Sequence, residues 1–224
     1  MEKNKTGGAK TVVEATIEAI KSGIFEGRYA PGQRLIEADL TRELSVSRGP
    51  LREALGRLVA DGLVEIEPYR GAIVARPSRE DVANTLQLRE VLEGLAARLA
   101  AERIEIGDNR KRLVAERDAI AKSDAGLEVA TFMSDNERFH GLILKLSGNS
   151  QLARLVSQMQ LPTLQTAFFR TIDQKVRSNS LAQHREILNA ILAGDGGAAE
   201  RAMRTHIART SELAKRLPDA LFGA

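Results

Sequence analysis

Apolar residues recur at two different periods along this 224-residue chain, and the change of period divides it. From Thr11 onward, Val12, Val13, Ile17, Ile20 and Ile24 sit at helical spacing and predict a first helix. Tyr29-Ala30-Pro31-Gly32 is a turn, and Arg34-Leu35-Ile36 a short extended link. Leu40, Leu44 and Val46 form one short apolar set. Leu51, Leu55, Leu58 and Val59 form a second after a break at Ser45–Ser47. The pair reads as two short helices joined by a tight turn, the helix-turn-helix unit. Ser47 is placed to cap the second helix, and Pro50 falls in its first turn, where a missing N–H costs nothing. Asp61-Gly62 ends that helix. Leu63–Ile66 then alternates as a strand, Glu67-Pro68-Tyr69-Arg70-Gly71 turns, and Ala72–Ala75 returns as a second strand. A β-hairpin directly after a helix-turn-helix is a wing.

Beyond Arg76-Pro77 the strand signals vanish. Ser78-Arg79-Glu80-Asp81 fits a capping box and marks the start of a new domain. Six helices are predicted from there. The first is long, carries Leu86, Leu88, Val91, Leu92, Leu95, Leu99 and Ala100, and ends near Glu102. The second covers Lys111–Lys122, with Leu113, Val114 and Ile120 inward. The third covers Leu127–Leu146, and the fourth Leu152–Arg170 with an interruption or kink at Pro162. The last two cover Asn179–Leu192 and Ala198–Leu217. Short connections make these an antiparallel bundle. The expected fold is mainly α: a polar, mobile N-terminus over 1–10, a winged helix-turn-helix over 11–77 and an all-α bundle over 78–224.

Composition narrows the chemistry. A hydrophobic fraction of 43% with 28% charged residues is that of a soluble globular protein. The absence of cysteine excludes disulfides and cysteine zinc sites, and fits a reducing, cytoplasmic compartment. No apolar run approaches the ~20 residues of a membrane span, and MEKNKTGGAK lacks the apolar stretch of a secretory signal. A net charge of +3 neither requires nor excludes nucleic acid, so a local basic face matters more than the total. If Leu51, Leu55 and Leu58 face inward, Arg48 and Arg52 share the outer face one turn apart. Two guanidiniums at the start of an exposed helix suit guanine edges and phosphates in a major groove. Gly56 continues that row without a side chain. A solvated basic face would show the same spacing; the wing favours DNA, with Arg70 and Gly71 at its tip able to reach the backbone or the minor groove.

At this point the chain resembles GntR-type transcription regulators, through AIKSGIFEGRYAPGQRLIEADL, VSRGPLREAL and the hairpin GLVEIEPYRGAIV. The resemblance implies a DNA-binding unit reading double-stranded operator DNA through Ser47, Arg48, Gly49, Arg52, Arg70 and Gly71. Palindromic operators imply a homodimer.

The only histidines are His140, His184 and His206, all in the bundle. Asn136 precedes His140 by one helical turn and shares its face. His184 and His206 lie 22 residues apart (184 to 206) on a hairpin turning near Gly194–Gly197, at similar heights. Such a trio could hold a borderline metal such as Zn, Ni or Mn, or be three unrelated, locally satisfied histidines. The bundle resembles the FCD (FadR-type) effector domain, through LREVLEGLAARLAA, NERFHGLILKLSGN, HREILNAILAGD and AMRTHI. That resemblance implies a divalent metal held by Asn136, His140, His184 and His206, together with a small carboxylate effector. Many relatives carry Asp at the first position, and Asn136 is a neutral and weaker ligand. Arg89 matches a position where relatives turn an arginine toward the pocket; the alternative is a plain i,i+4 pair with Glu93, itself taken as structural. The expected function is a ligand-responsive transcription regulator, a repressor and not an enzyme. The alternatives are a metal-dependent hydrolase, for which no well-placed general base is visible, and a constitutive architectural DNA binder.

Overall fold

The computed structural model describes residues 10–122, 128–159 and 161–223. The mobile segment expected at 1–10 lies outside them except for Lys10, as does the expected helix start at Leu127. The chain divides at Arg76–Pro77 into two compact units.

The first unit begins with α1 (Val12–Phe25), where Thr11 and Glu14 form a reciprocal capping box. α2 (Glu37–Glu43) and α3 (Arg48–Ala60) follow, then the antiparallel hairpin of β1 (Val64–Glu67) and β2 (Gly71–Val74). Ile20, Ile24, Leu40, Leu51, Leu55, Leu58, Leu63, Val64 and Val74 close one buried core beneath these elements. The extended link found in the sequence has a partner: Arg34 bridges Ile73, and the Leu35 amide donates to the Ala72 carbonyl at 2.8 Å. Tyr29 is anchored at the edge of this core. Its hydroxyl donates to Glu43 at 2.7 Å. Burial first, and Glu43 second, push the phenol up to about 12, so it remains the proton donor.

One expectation fails locally. Ser47 does stand at the N-cap of α3 with extended backbone, yet its side chain makes no capping hydrogen bond. The sequence removes one of the two amides such a cap can use. A capping hydroxyl bonds the N–H of the second or third helical residue, and the third here is Pro50, which has none.

The second unit comprises α4 (Arg79–Glu102), α5 (Asn109–Lys122), α6 (Val129–Leu146), α7 (Ser150–Gln158), α8 (Pro162–Thr171), α9 (Gln174–Leu192) and α10 (Gly196–Ala214), with a 3₁₀ turn at Asp219–Leu221. The six expected helices are seven among the described residues. Pro162 does not kink the fourth helix but opens a separate one, at the first helical position where proline costs least. The capping box at α4 forms as expected, with Ser78 and Asp81 bonding reciprocally. On α5, Leu113 and Ile120 are buried, Val114 is only half-buried, and Glu116 takes the inward place.

Small residues let α4 and α10 approach closely. A Cβ on Gly94 would fall 2.6 Å from Cγ of Arg204. The turn between α9 and α10 closes on Gly194, whose φ of +72° is open to glycine, and Asp195 then caps α10 through the Ala198 amide at 2.9 Å. Arg79 ties down the C-terminal segment: its guanidinium bonds Asp219 and the carbonyls of Leu217 and Lys215, and lies 4.0 Å from the centre of the Phe222 ring. Three apolar residues expected in α4, Leu88, Val91 and Leu95, are exposed in this chain and run along one side of the helix. No helix among the described residues is long and apolar enough to cross a membrane.

Candidate functional site

In the first unit, burial of Leu51, Leu55 and Leu58 turns the opposite side of α3 outward. Ser47, Arg48, Gly49 and Arg52 are all exposed there. Nothing lies within 4 Å of a Cβ built on Gly49 or Gly56, so the outer row is open to a bulky partner. Arg52 is not idle: its Nε donates to both oxygens of Glu37 on α2 at 3.0 Å. At the wing tip Arg70 reaches back to Glu67 at 2.7 Å. Tyr69, in the left-handed region at φ +64°, projects fully into solvent. The Ser47 hydroxyl, unused in capping, stands beside the α3 amides that anions favour.

In the second unit the three histidines come together. His140 from α6, His184 from α9 and His206 from α10 are buried, and one ring nitrogen of each lies within 4.8 Å of the others. Nε2 of His184 and Nε2 of His206 are 3.3 Å apart. Two nitrogens about 2.0–2.1 Å from one tetrahedral ion stand about 3.4 Å apart, so this pair already has the spacing of two ligands.

Neighbours fix the rings. His140 Nδ1 donates to Oε2 of Glu93 at 2.6 Å, since a carboxylate can only accept. His206 Nδ1 donates to Oε1 of Gln183 at 2.9 Å. Both contacts occupy Nδ1 and leave Nε2 as the nitrogen available to a metal, as in a ligating imidazole. Phe139 stacks on His184, centroids 3.8 Å apart and planes 13° from parallel. Burial, reinforced by His206 and His140, drives the His184 pKa well below its ordinary value. Burial and then His140 bring His206 to about 3. Both imidazoles are therefore neutral near pH 7. The donor set suits a borderline divalent ion.

Glu93 is the residue whose place the sequence reading understates. It is 1% exposed, with one carboxylate oxygen on His140 and the other on Arg89, whose Nε donates at 2.8 Å. Burial works to raise its pKa, but His140 and Arg89 outweigh burial and hold the carboxyl low, at about 2. Arg89 thus makes its i,i+4 pair inside the bundle rather than on the surface, its side chain only 11% exposed. Asn136 sits half-buried one turn before His140 on α6. Gln183 and Glu93 were detectable in principle, as polar residues on buried faces; their ring partners were not.

Comparisons with known proteins agree with this division. Residues 12–74 match the family described as bacterial regulatory proteins, gntR family, and residues 84–209 match the FCD domain. The chain is 30% identical over 202 residues to the HTH-type transcriptional repressor RspR of Escherichia coli K12, covering 88% of this chain and 86% of that one. It is 29% identical over 217 residues to the galactonate operon transcriptional repressor of the same organism, covering 87% and 93%. Among solved structures, E. coli McbR/YncC superposes with a TM-score of 0.75 at 18% identity, over 93% of this chain and 99% of that one. A GntR regulator from Rhodococcus sp. RHA1 superposes with a TM-score of 0.71 at 22% identity, over 92% and 99%. The chain belongs to the GntR family of DNA-binding transcription regulators, in the group that carries an FCD domain.

Proposed function

We propose that the chain is a ligand-responsive repressor that acts as a homodimer on a two-fold operator, sensing a small organic acid at a divalent metal held in its helical unit. The convergence of three buried imidazoles, one ring nitrogen of each within 4.8 Å of the others, carries this reading. Asn136, His140, His184 and His206 would hold the ion, Zn, Ni or Mn by donor type, and leave positions for a carboxylate. Arg89 would supply the opposite charge through the Nη1 end not committed to Glu93. When bound, the metal supplies a fixed positive charge that favours an anionic ligand.

Ser47, Arg48, Gly49 and Arg52 would meet the major groove, and Arg70 and Gly71 the adjacent backbone. Repression is inferred from two relatives that are transcriptional repressors, one of them the galactonate operon repressor. The homodimer has support in the exposed Leu88, Val91 and Leu95 of α4, an apolar stripe suited to a second copy. The domain limits, 11–77 for the reader and 78–224 for the sensor, complete the proposal.

The test is metal analysis of purified protein, followed by DNA binding to the upstream region of its own gene with and without a panel of organic acids. Stoichiometric metal and an acid-dependent change in affinity are expected. A His184→Ala/His206→Ala double variant with the same metal content and the same acid response as wild type would reject the site.

A further inference from the structure

A divalent ion among these ligands would meet a deficit of charge. Three imidazoles and the amide of Asn136 offer it no formal negative charge. The fully buried anion beside this set is Glu93, which touches the cluster through a single ring: its Oε2 accepts from His140 Nδ1 at 2.6 Å. The same carboxylate is held from the other side by Arg89 through Oε1 at 2.8 Å. Each oxygen has one partner, so the carboxylate cannot rotate away without abandoning a buried hydrogen bond.

We propose that Glu93 is a positioning residue of the metal centre. It locks His140 in the Nδ1–H tautomer and supplies, through that imidazole, the negative charge that Asn136 does not. The inference rests on the proposed metal site and deepens it. An imidazole that donates to a carboxylate is a stronger base at its other nitrogen, and such partners commonly change metal affinity by about 10- to 100-fold. Gln183 performs only the tautomer-fixing half of this task for His206, because its amide oxygen carries no charge. The compensation is therefore specific to α4. Arg89 belongs to the same device: it holds the second carboxylate oxygen of Glu93 and so fixes the one that faces His140.

Glu93 and a carboxylate at position 136 are then interchangeable sources of one charge, and a double-mutant cycle reads that directly. Full-length wild type, Glu93→Gln, Asn136→Asp and the double variant are titrated with Zn(II) against a competing chelator, and with Co(II) followed by its visible spectrum. Glu93→Gln should weaken Zn(II) binding by about 10- to 100-fold and alter the Co(II) bands. Asn136→Asp should tighten binding. In the Asn136→Asp background the loss from Glu93→Gln should shrink to about threefold or less. A merely structural Glu93 would give the same loss in both backgrounds, and that result overturns the inference. So does an unchanged affinity and spectrum in Glu93→Gln. If that variant does not fold, Asn136→Asp with Glu93 intact still decides: no gain in affinity means no charge deficit. Failure of the wild-type chain to bind either metal would overturn the site itself, and is distinguishable because it precedes any comparison of variants.

Discussion

Replacing Gly23 with alanine should unfold the DNA-reading unit more easily, although alanine is the better helix former. Gly23 lies buried near the end of α1, and Ala for Gly in a helix is worth about 1 kcal/mol in the favourable direction. Against this, the new Cβ would collide with Cε2 of Tyr29 and stand 2.6 Å from its Cδ2. Ordinary carbon contacts lie at about 3.5–4.0 Å, so the ring must retreat by roughly 1 Å. It has little freedom to do so. Tyr29 is 6% exposed, its amide donates to the Gly23 carbonyl at 3.1 Å, and its hydroxyl donates to Glu43 at 2.7 Å. Overpacking of this kind costs about 1–3 kcal/mol. Loosening the phenol–carboxylate bond adds about 1 kcal/mol, a figure lowered because Glu43 is half exposed. The net loss is about 1–3 kcal/mol. The assay is favoured by composition. The chain has no tryptophan, and its two tyrosines, Tyr29 and Tyr69, both lie in the first unit. Tyrosine fluorescence during urea unfolding therefore reports that unit alone. At a slope of about 1 kcal/mol per molar urea, the midpoint should fall by about 1–3 M. An unchanged or higher midpoint would refute the packing argument and show that Tyr29 yields freely.

Metal removal should act on the other unit: if a chelator strips an ion present at a hundred times its Kd, about 2.7 kcal/mol is lost, or roughly 5–10 °C in Tm by calorimetry. His184→Ala should show no such chelator effect. Arg79→Ala should free the C-terminal segment and cost about 1–2 kcal/mol, read as faster carboxypeptidase trimming and a lower midpoint for the helical unit. On the DNA side, Arg52→Ala should weaken operator binding and relax specificity at one position by about 1–3 kcal/mol in a gel-shift series of single-base variants. Glu37→Gln should do the reverse on mixed-sequence DNA, strengthening it by up to about fivefold, since an exposed ion pair of about 0.2–1 kcal/mol no longer competes for Arg52.

The sequence made the skeleton readable where a local rule has no competitor. Ser78 and Asp81 announced the α4 capping box because both partners lie within one turn, and Gly194-Asp195 announced the α9–α10 turn for the same reason. Local rules misled where two met. Ser47 is a good capping residue and Pro50 a good first-turn residue, but they compete: the proline removes one of the two amides the serine could bond. Pro162 permitted either a kink or a break, and only packing of the flanking helices decides between them. The three histidines could be grouped from their heights on the helices, whereas the hydrogen bonds that orient them could not. Glu93 shows why. Its spacing from Arg89 is visible, and so is its place seven residues after Leu86 and four before Ala97, on the face that proves buried. Periodicity gives that much. It does not reveal that the facing residue on α6 is His140, a contact across 47 positions.

The arginines of the two units differ in what their carboxylates permit. On the reader, Arg52 is held by Glu37, Arg70 by Glu67 and Arg57 by Glu53, all of them substantially exposed. Such pairs are worth little and are screened by salt, so a phosphate or a guanine edge can replace the carboxylate at small cost. The free protein thereby masks part of its basic face, which reduces attraction to arbitrary DNA more than to a site offering hydrogen bonds of good geometry. In the bundle, Arg89 and Glu93 are held at 11% and 1% exposure. Breaking a buried pair from one side costs about 3–5 kcal/mol, more than a single ligand contact returns. An incoming acid would therefore add to this arrangement instead of exchanging with it. The DNA-binding unit is built from contacts that let go, and the helical unit from contacts that do not.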